Sequence, residues 1–212
     1  MVLDKALTTV IYYTSNREDE VFEGVIRRKL LQVIGDLPLI SVSQKSIDFG
    51  HNFCVGDIGA SDKNVLIQMF IGCLLAETPF IATAEADFLY PPTGYFDFVP
   101  EDDAKFYRYT NLWVLRKKSN YFKKKKFSLG AQISGRNKLL DALWGKLSME
   151  NIRGDIVNPH GYKDGIDGPI PCITIKTGDG MRDDCGTNQD VLPVESLPYW
   201  GKVEDLKKLL WV

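Results

Sequence analysis

The sequence has few of the residues that build zinc sites and disulfide-stabilised domains. Its four cysteines are widely spaced, no two of them form a C-x-x-C pair, and it has two histidines. Neither a zinc site nor a disulfide framework is therefore indicated. We expect reduced thiols, as is usual for a cytosolic protein.

Long apolar runs and a strong charge of one sign are also missing. No apolar run approaches the length of a membrane span, and the amino terminus lacks a basic segment followed by an apolar core. We therefore expect a soluble, cytoplasmic protein without a membrane partner. The formal net charge of -2 gives no overall attraction to nucleic acid, so an acidic partner requires a local basic patch. The 212 residues, 44% hydrophobic and 25% charged, predict a single globular domain.

The first forty residues predict a βαβ unit. Residues 7–13 are β-branched and aromatic, which is typical of a central strand, and the polar residues 14–16 follow. Apolar residues then recur at helical spacing up to Gly35, and residues 39–42 form a second apolar run. A strand, a helix and a second strand in this order predict parallel strands with a right-handed crossover. The predicted fold class is α/β, with a mostly parallel, Rossmann-like sheet, flanking helices and a loop-rich carboxyl-terminal part.

A long polar loop with several glycines, residues 43–60, leads to a second predicted helix. Ser61 is a good N-cap, and the stripe that follows is apolar. The first backbone N–H groups of this helix and the preceding glycines are able to bind phosphate. A plain connecting loop explains the same pattern.

Two carboxylates directly follow the next predicted strand. The run 80–82 is introduced by Pro79, and Glu85 and Asp87 come after it. Residues two apart in an extended chain share a face, so both carboxylates are expected to point into the crevice at the carboxyl ends of the strands. The alternative is a pair of ordinary solvated loop carboxylates.

One segment is strongly basic. Its lysines alternate with aromatic residues, a pattern that suits phosphates and stacked bases; the residues in question are Lys117, Lys118, Tyr121, Lys123, Lys124, Lys125 and Lys126. A solvated β-hairpin tip is the alternative interpretation. Arg136, at the start of the following predicted helix, is expected to meet an anion and is a candidate catalytic residue.

The order of these elements resembles the nucleotide-diphosphosugar transferases of the GT-A fold, especially the family 2 type. Residues 59–64 and the run Thr78 to Asp87 carry the resemblance, which covers about the first half of the chain. It implies a nucleotide-sugar-binding half at 1–116 and an acceptor-side half at 117–212. It also implies a set of donor-binding residues: Thr14, Ser15, Asn16, Gln44, Lys63, Asn64 and Glu85.

More narrowly, residues 40–45, residues 85–91 and residues 197–201 resemble small glycosyltransferases of phage and phage-derived genomes, some of which decorate modified DNA bases. That group usually has a second polar or acidic residue where this chain has Ala86, and often a His-Gly pair where this chain has Thr177-Gly178. The resemblance implies a Mn or Mg ion held by Asp87, with Glu85 beside it. His160 is one candidate to replace the missing histidine, and His51 is another.

The resemblance implies transfer of a sugar from a nucleotide sugar to a hydroxyl group, with a UDP-sugar as the expected donor. Lys176 and Arg182 are candidates to stabilise the departing diphosphate. A carboxylate base is also needed, and the sequence leaves several candidates open: Asp102, Asp103, Asp179 and Asp183. The acceptor suggested by the resemblance is a hydroxymethylated pyrimidine in phage DNA, with carbohydrate and protein acceptors as alternatives.

Two other functions stay open. One is a catalytically silent module that binds nucleotide sugars or nucleic acid. The other is a nucleotidylyltransferase, although such enzymes normally have a glycine- and arginine-rich phosphate loop after the first strand, and residues 14–18 contain no glycine.

Overall fold

The predicted βαβ unit is present in the computed structural model, which describes residues 7–149, 165–178, 188 and 190–211. Strand β1 (Thr8–Thr14), helix α1 (Glu20–Ile34) and strand β2 (Leu39–Ser43) follow one another, and the two strands are parallel. The Asp19 carboxylate caps α1 by accepting hydrogen bonds from the N–H groups of Val21 and Phe22. Gly35, at φ 58°, ends the helix in a conformation that favours glycine.

A seven-stranded sheet forms the centre of the molecule. Its strand order is β10-β6-β9-β4-β1-β2-β3. The additional strands are β3 (His51–Cys54), β4 (Phe80–Glu85), β6 (Phe106–Tyr109), β9 (Gln132–Gly135) and β10 (Gly165–Ile166). All neighbours are parallel except β9, which is antiparallel to β4 and β6. The α/β prediction with a mostly parallel sheet is confirmed, and β1, β2 and β4 end at one common edge.

A second, four-stranded sheet continues directly from this edge. Its order is β5-β11-β7-β8, with β5 (Phe88–Leu89), β7 (Leu112–Arg116), β8 (Phe122–Lys125) and β11 (Cys172–Lys176). Only Ala86 and Asp87 separate β4 from β5, so the chain passes from one sheet to the other at the predicted carboxylates. The N–H of Ile175 in β11 donates to the Asp87 carbonyl at 2.6 Å, which fixes the junction.

Helices cover both faces of the central sheet. α2 (Asp62–Leu75) and α3 (Arg136–Leu147) pack against Ile11, Tyr13 and their neighbours on one face. α1 covers Val10 and Tyr12 on the other face, and its first turns also pack on the second sheet and on α4 (Val203–Leu210). A short hairpin, β12 (Ser196–Leu197) with β13 (Gly201–Lys202), precedes α4.

Neither sheet is confined to one of the two predicted halves, 1–116 and 117–212, and the functional division stays a prediction. β9 and β10, which come after residue 116, join the first sheet, while β5 joins the second. Among the described residues, no helix is both long and apolar enough to cross a membrane.

Candidate active site

A cleft of about 410 Å³ opens at the common carboxyl edge of β1, β2 and β4. Open α/β sheets bind their ligands at this edge, and the volume lies within the usual range for ligand pockets. The cleft brings together many of the residues that the sequence predicted as donor-binding or catalytic: Thr14, Ser15, Gln44, Asn64, Glu85, Asp87 and Lys176. Residues far apart in the chain therefore line one cavity.

Asp87 and Lys176 form the best-defined contact in the cleft. The Lys176 Nζ donates to Asp87 Oδ2 at 2.8 Å, and the two side chains are 15% and 12% exposed. Burial by itself would lower the pKa of Lys176, but the nearby carboxylates Asp87 and Glu85 outweigh it and raise that pKa. The lysine therefore stays charged inside the cleft.

Glu85 is held from several sides at the end of β4. Its backbone N–H donates to the Tyr90 hydroxyl at 2.9 Å, and that hydroxyl donates to the Gly130 carbonyl at 2.5 Å. A Cβ at Gly130 would collide with the Glu85 carboxylate and the Phe88 ring, so this glycine allows the close approach. The carboxylate accordingly has little room to move.

The pKa of the Glu85 carboxyl is raised from 4.5 to about 7. Burial is the main cause and the charge of Asp87 adds to it, while Lys176 and Lys125 act in the opposite direction. The folded protein thus keeps a proton on Glu85 in a pH range where the unfolded chain has lost it.

This pKa shift makes stability depend on pH at one residue. Between about pH 4.5 and 7 the folded chain binds more protons at Glu85 than the unfolded chain, so the contribution of Glu85 to stability falls as pH rises through this window. Glutamine mimics the protonated form and does not ionise. Glu85→Gln should therefore raise the free energy of unfolding by about 1–3 kcal/mol at pH 8 and by little at pH 4. Urea unfolding at both pH values measures this, with the exposed Glu101→Gln as control; a gain that does not change with pH would contradict the prediction.

One buried polar atom in the cleft wall, the Gln44 Oε1, has no hydrogen-bond partner among the described residues, and Gln44 is 5% exposed. The buried Tyr13 hydroxyl lies beside the Glu85 carboxyl group and acts to lower its pKa. The Gln44 amide Nε2 is fixed by the Gly59 carbonyl at 2.7 Å. Buried polar atoms rarely stay without a partner, and Gln44 lines the cleft, so a ligand bound in the cleft is a natural partner for the Gln44 Oε1.

Other polar contacts hold the wall of the cleft together. The Asn16 Oδ1 accepts hydrogen bonds from the N–H groups of Gln44 and Lys45, both at 2.9 Å, and so ties the end of β1 to the end of β2. The Gln68 Nε2 donates to the carbonyls of Thr14 and Val42 at 2.7 and 2.8 Å. These contacts fix both strand ends against α2.

The amino terminus of α2 forms one wall. The Ser61 side chain caps it by accepting from the Asn64 N–H, and the Asn64 side chain donates to the carbonyls of Ile58 and Gly59. The first residues of α2 line the cleft, so the positive end of this helix lies at the cleft wall. Lys63 is exposed and does not line it.

Several predicted residues lie elsewhere. The Arg136 Nε donates to the Cys73 carbonyl at 2.8 Å, and its backbone N–H to Pro79, beside the first residue of β4. Glu85 ends that six-residue strand, which places Arg136 about 17 Å away at the opposite edge. Asp102 and Asp103 belong to that edge too, since a Cβ at Gly135 would meet the Asp103 backbone. The remaining predicted residues lie outside the described part of the chain: His160, Asp179, Arg182 and Asp183.

The basic segment forms a β-hairpin, as the simpler interpretation predicted. Lys117 and Lys118 are exposed in the turn between β7 and β8, and Lys123, Lys124 and Lys125 lie along β8. Three of its lysines lie over aromatic rings of the same chain, at 5.3–5.7 Å; these are Lys117 over Trp211, Lys123 over Tyr121 and Lys124 over Trp113. Burial also lowers the pKa of Lys124. Exposed Lys126 completes the segment, and nucleic-acid binding by it stays a prediction.

The described residues by themselves do not fit a divalent cation. Mg²⁺ is commonly bound by one or two ionised carboxylates together with substrate phosphates. Here Asp87 is already paired with the Lys176 ammonium, and Glu85 has a pKa of about 7. Within the described ranges, no three His, Cys, Asp or Glu side chains gather as potential ligands. Because His160 lies outside them, the sequence-based metal site stays a prediction.

Sequence analysis missed Tyr13, Gln68 and Glu18, which also line the cleft. Gln68 gave a usable signal, because it is a polar residue within the apolar stripe of α2 and is 2% exposed. Tyr13 shares a strand face with Ile11, toward α2, and stands one residue before the predicted Thr14. A tyrosine at a strand end is too common for sequence alone to mark it.

The chain is similar in fold to proteins of known structure. No protein-family model matches the chain, and no curated protein matches it significantly. The Aq1419 protein from Aquifex aeolicus VF5 is 13% identical with a TM-score of 0.50, over 79% of this chain and 90% of that one. This similarity supports the α/β fold.

Two further solved structures align less closely. One is the bifunctional IspDF from Campylobacter jejuni, at 11% identity and a TM-score of 0.47, over 85% of this chain and 52% of that one. This chain therefore spans about half the length of IspDF. The other is a glycosyltransferase involved in glycosylation of the major capsid of PBCV-1, at 9% identity and a TM-score of 0.46, over 76% and 81%.

Proposed function

We propose that this protein is a glycosyltransferase that moves a sugar from a nucleotide sugar, best a UDP-sugar, to a hydroxyl acceptor. One observation carries the proposal. A cleft at the carboxyl edge of the sheet combines a helix amino terminus, the buried Lys176 ammonium paired with Asp87, and the buried Gln44 Oε1, which has no partner among the described residues. The helix amino terminus and the Lys176 ammonium suit a diphosphate. The polar side chain suits the polar ring of a nucleobase.

We assign the nucleobase of the donor to the side of the cleft nearest β1 and β2. An imide N–H, as in uracil, is the donor that the Gln44 Oε1 lacks among the described residues. Gln44 is held by Gly59 and by Asn16, so its acceptor is preorganised. Thr14 and Ser15 complete this side of the cleft.

The diphosphate is assigned to the side nearest α2 and Lys176. In the reaction, the bond between the anomeric carbon and the β-phosphate oxygen breaks, and its electron pair stays on the phosphate. The acceptor oxygen forms the new bond to that carbon, and its proton passes to a carboxylate. Four carboxylates line the cleft, Glu18, Asp62, Glu85 and Asp87, whereas Asp102 and Asp103 lie at the other edge of the sheet.

The acceptor we propose is a hydroxymethylated pyrimidine in DNA. The basic hairpin supports this assignment, because Lys125 in β8 is close enough to Glu85 to lower its pKa. An anionic polymer lying along the hairpin would thus pass near Glu85 and Asp87. Carbohydrate and protein acceptors compete with it and belong in the same assay.

Calorimetric titration with UDP, CDP, ADP and GDP tests the donor site. We expect UDP to bind best and Gln44→Leu to weaken it about tenfold, as for loss of one buried hydrogen bond. Gln32→Leu, at an exposed position of α1, is the matched control and should bind like wild type. Equal affinity of wild type and Gln44→Leu for UDP would contradict the base assignment.

Transfer is measured in the same preparation with labelled UDP-sugars. The acceptors are duplex DNA with hydroxymethylcytosine, an oligosaccharide mixture and a protein mixture. Transfer to the modified DNA is the expected result. UDP binding with neither sugar release nor transfer would identify a binding module instead of an enzyme.

A further inference from the structure

We propose that the Lys176 ammonium takes the place of a divalent cation at the donor diphosphate, so that nucleotide binding and transfer require no metal. This inference rests on the proposed function, because it assigns a role to Lys176 toward the same donor. It differs from the prediction that Asp87 and Glu85 hold Mn or Mg.

The first support is where Lys176 comes from. It is the last residue of β11, in the second sheet, and β11 pairs with β5 on one side and with β7 on the other. The neighbouring Ile175 N–H bonds the Asp87 carbonyl at 2.6 Å while Lys176 Nζ bonds the Asp87 carboxylate at 2.8 Å. Two adjacent residues of β11 thus both form hydrogen bonds with Asp87, which fixes the Lys176 ammonium at the floor of the cleft.

The second support is electrostatic. A cation bound at Asp87 would have to displace the ammonium or lie directly beside it, and both side chains are more than four-fifths buried. Like charges at such a distance in a poorly hydrated site repel strongly. Lys176 already supplies the positive charge that Glu85 and Asp87 require.

The third support is the chemistry of the leaving group. When the anomeric carbon–oxygen bond breaks, negative charge develops on the β-phosphate of the nucleoside diphosphate. A lysine ammonium binds phosphate as a point charge with three donors, and Lys176 uses one of these donors on Asp87. The two others can meet phosphate oxygens of a donor bound beside the start of α2, and the positive end of that helix adds to the attraction.

The test compares nucleotide binding with and without metal. UDP and uridine are titrated into the full-length protein by calorimetry, in EDTA and in MnCl₂, and sugar transfer is followed under both conditions. We expect the UDP affinity and the transfer rate of wild type to agree within about twofold between the two. Lys176→Met should lose about 10- to 100-fold in UDP affinity but keep its uridine affinity, since uridine lacks phosphate.

Three controls make the result decisive. Lys176→Arg keeps the charge and should recover most UDP affinity, and exposed Lys202→Ala should match wild type. Circular dichroism shows whether Lys176→Met is folded; if it is not, the wild-type comparison and Lys176→Arg still decide. UDP binding seen only with MnCl₂, or folded Lys176→Met that binds UDP like wild type, would overturn this inference alone. No UDP binding under either condition would overturn the proposed function as well.

Discussion

Replacing Asp87 by asparagine should lower the rate of sugar transfer by about 100- to 1,000-fold, the size typical of losing one preorganised electrostatic contact in an active site. Asp87 orients the Lys176 ammonium through a 2.8 Å contact in a site where both side chains are largely buried. Asparagine removes the charge and cannot hold the ammonium as firmly. Because the lysine itself remains, UDP affinity should change less than tenfold, so the loss should appear in kcat.

Steady-state kinetics with labelled UDP-sugar and calorimetry with UDP measure the two effects separately. Asp141→Asn, at an exposed position of α3, is the matched control. Unchanged transfer by Asp87→Asn would remove Asp87 from the chemistry. A loss confined to UDP binding would assign Asp87 to donor binding and not to the reaction step.

Replacing Phe88 by alanine should have the largest effect on stability, about 3–5 kcal/mol in the free energy of unfolding. Phe88 is 1% exposed and follows Asp87 directly at the junction of the two sheets. Its ring stacks on Tyr90 with centroids 5.6 Å apart, and it would be the neighbour of any side chain added at Gly130. The cavity left by alanine would lie under Glu85 and Asp87 and would loosen the β5–β11 pairing that positions Lys176.

Urea unfolding monitored by circular dichroism measures the loss. Phe53→Ala, in the edge strand β3 and 42% exposed, should cost less than about 1 kcal/mol and is the control. A cost for Phe88→Ala below about 1 kcal/mol would show that the junction does not depend on this ring. Phe88→Leu fills most of the cavity and should lie between wild type and Phe88→Ala.

The sequence by itself determined the α/β class and one side of the cleft. Alternating strand and helix patterns over residues 7–82 are local signals, and parallel strands joined by helices must end at one edge of the sheet. Thr14, Gln44 and Glu85 therefore line one cleft, because each directly follows or ends one of these strands. Asn64 joined them because a helix capped by Ser61 follows the strand β3 at that edge.

The tertiary structure alone decided which cation meets Asp87 and which residues lie too far away. Lys176 is 89 positions from Asp87, and it reaches that carboxylate because β11 pairs antiparallel with β5, a choice that no local pattern encodes. β9 likewise runs antiparallel to β4, which carries Arg136 to the edge opposite Glu85. Strand ends that follow a βαβ path are predictable from short-range sequence, whereas pairing between distant strands depends on packing of the whole core.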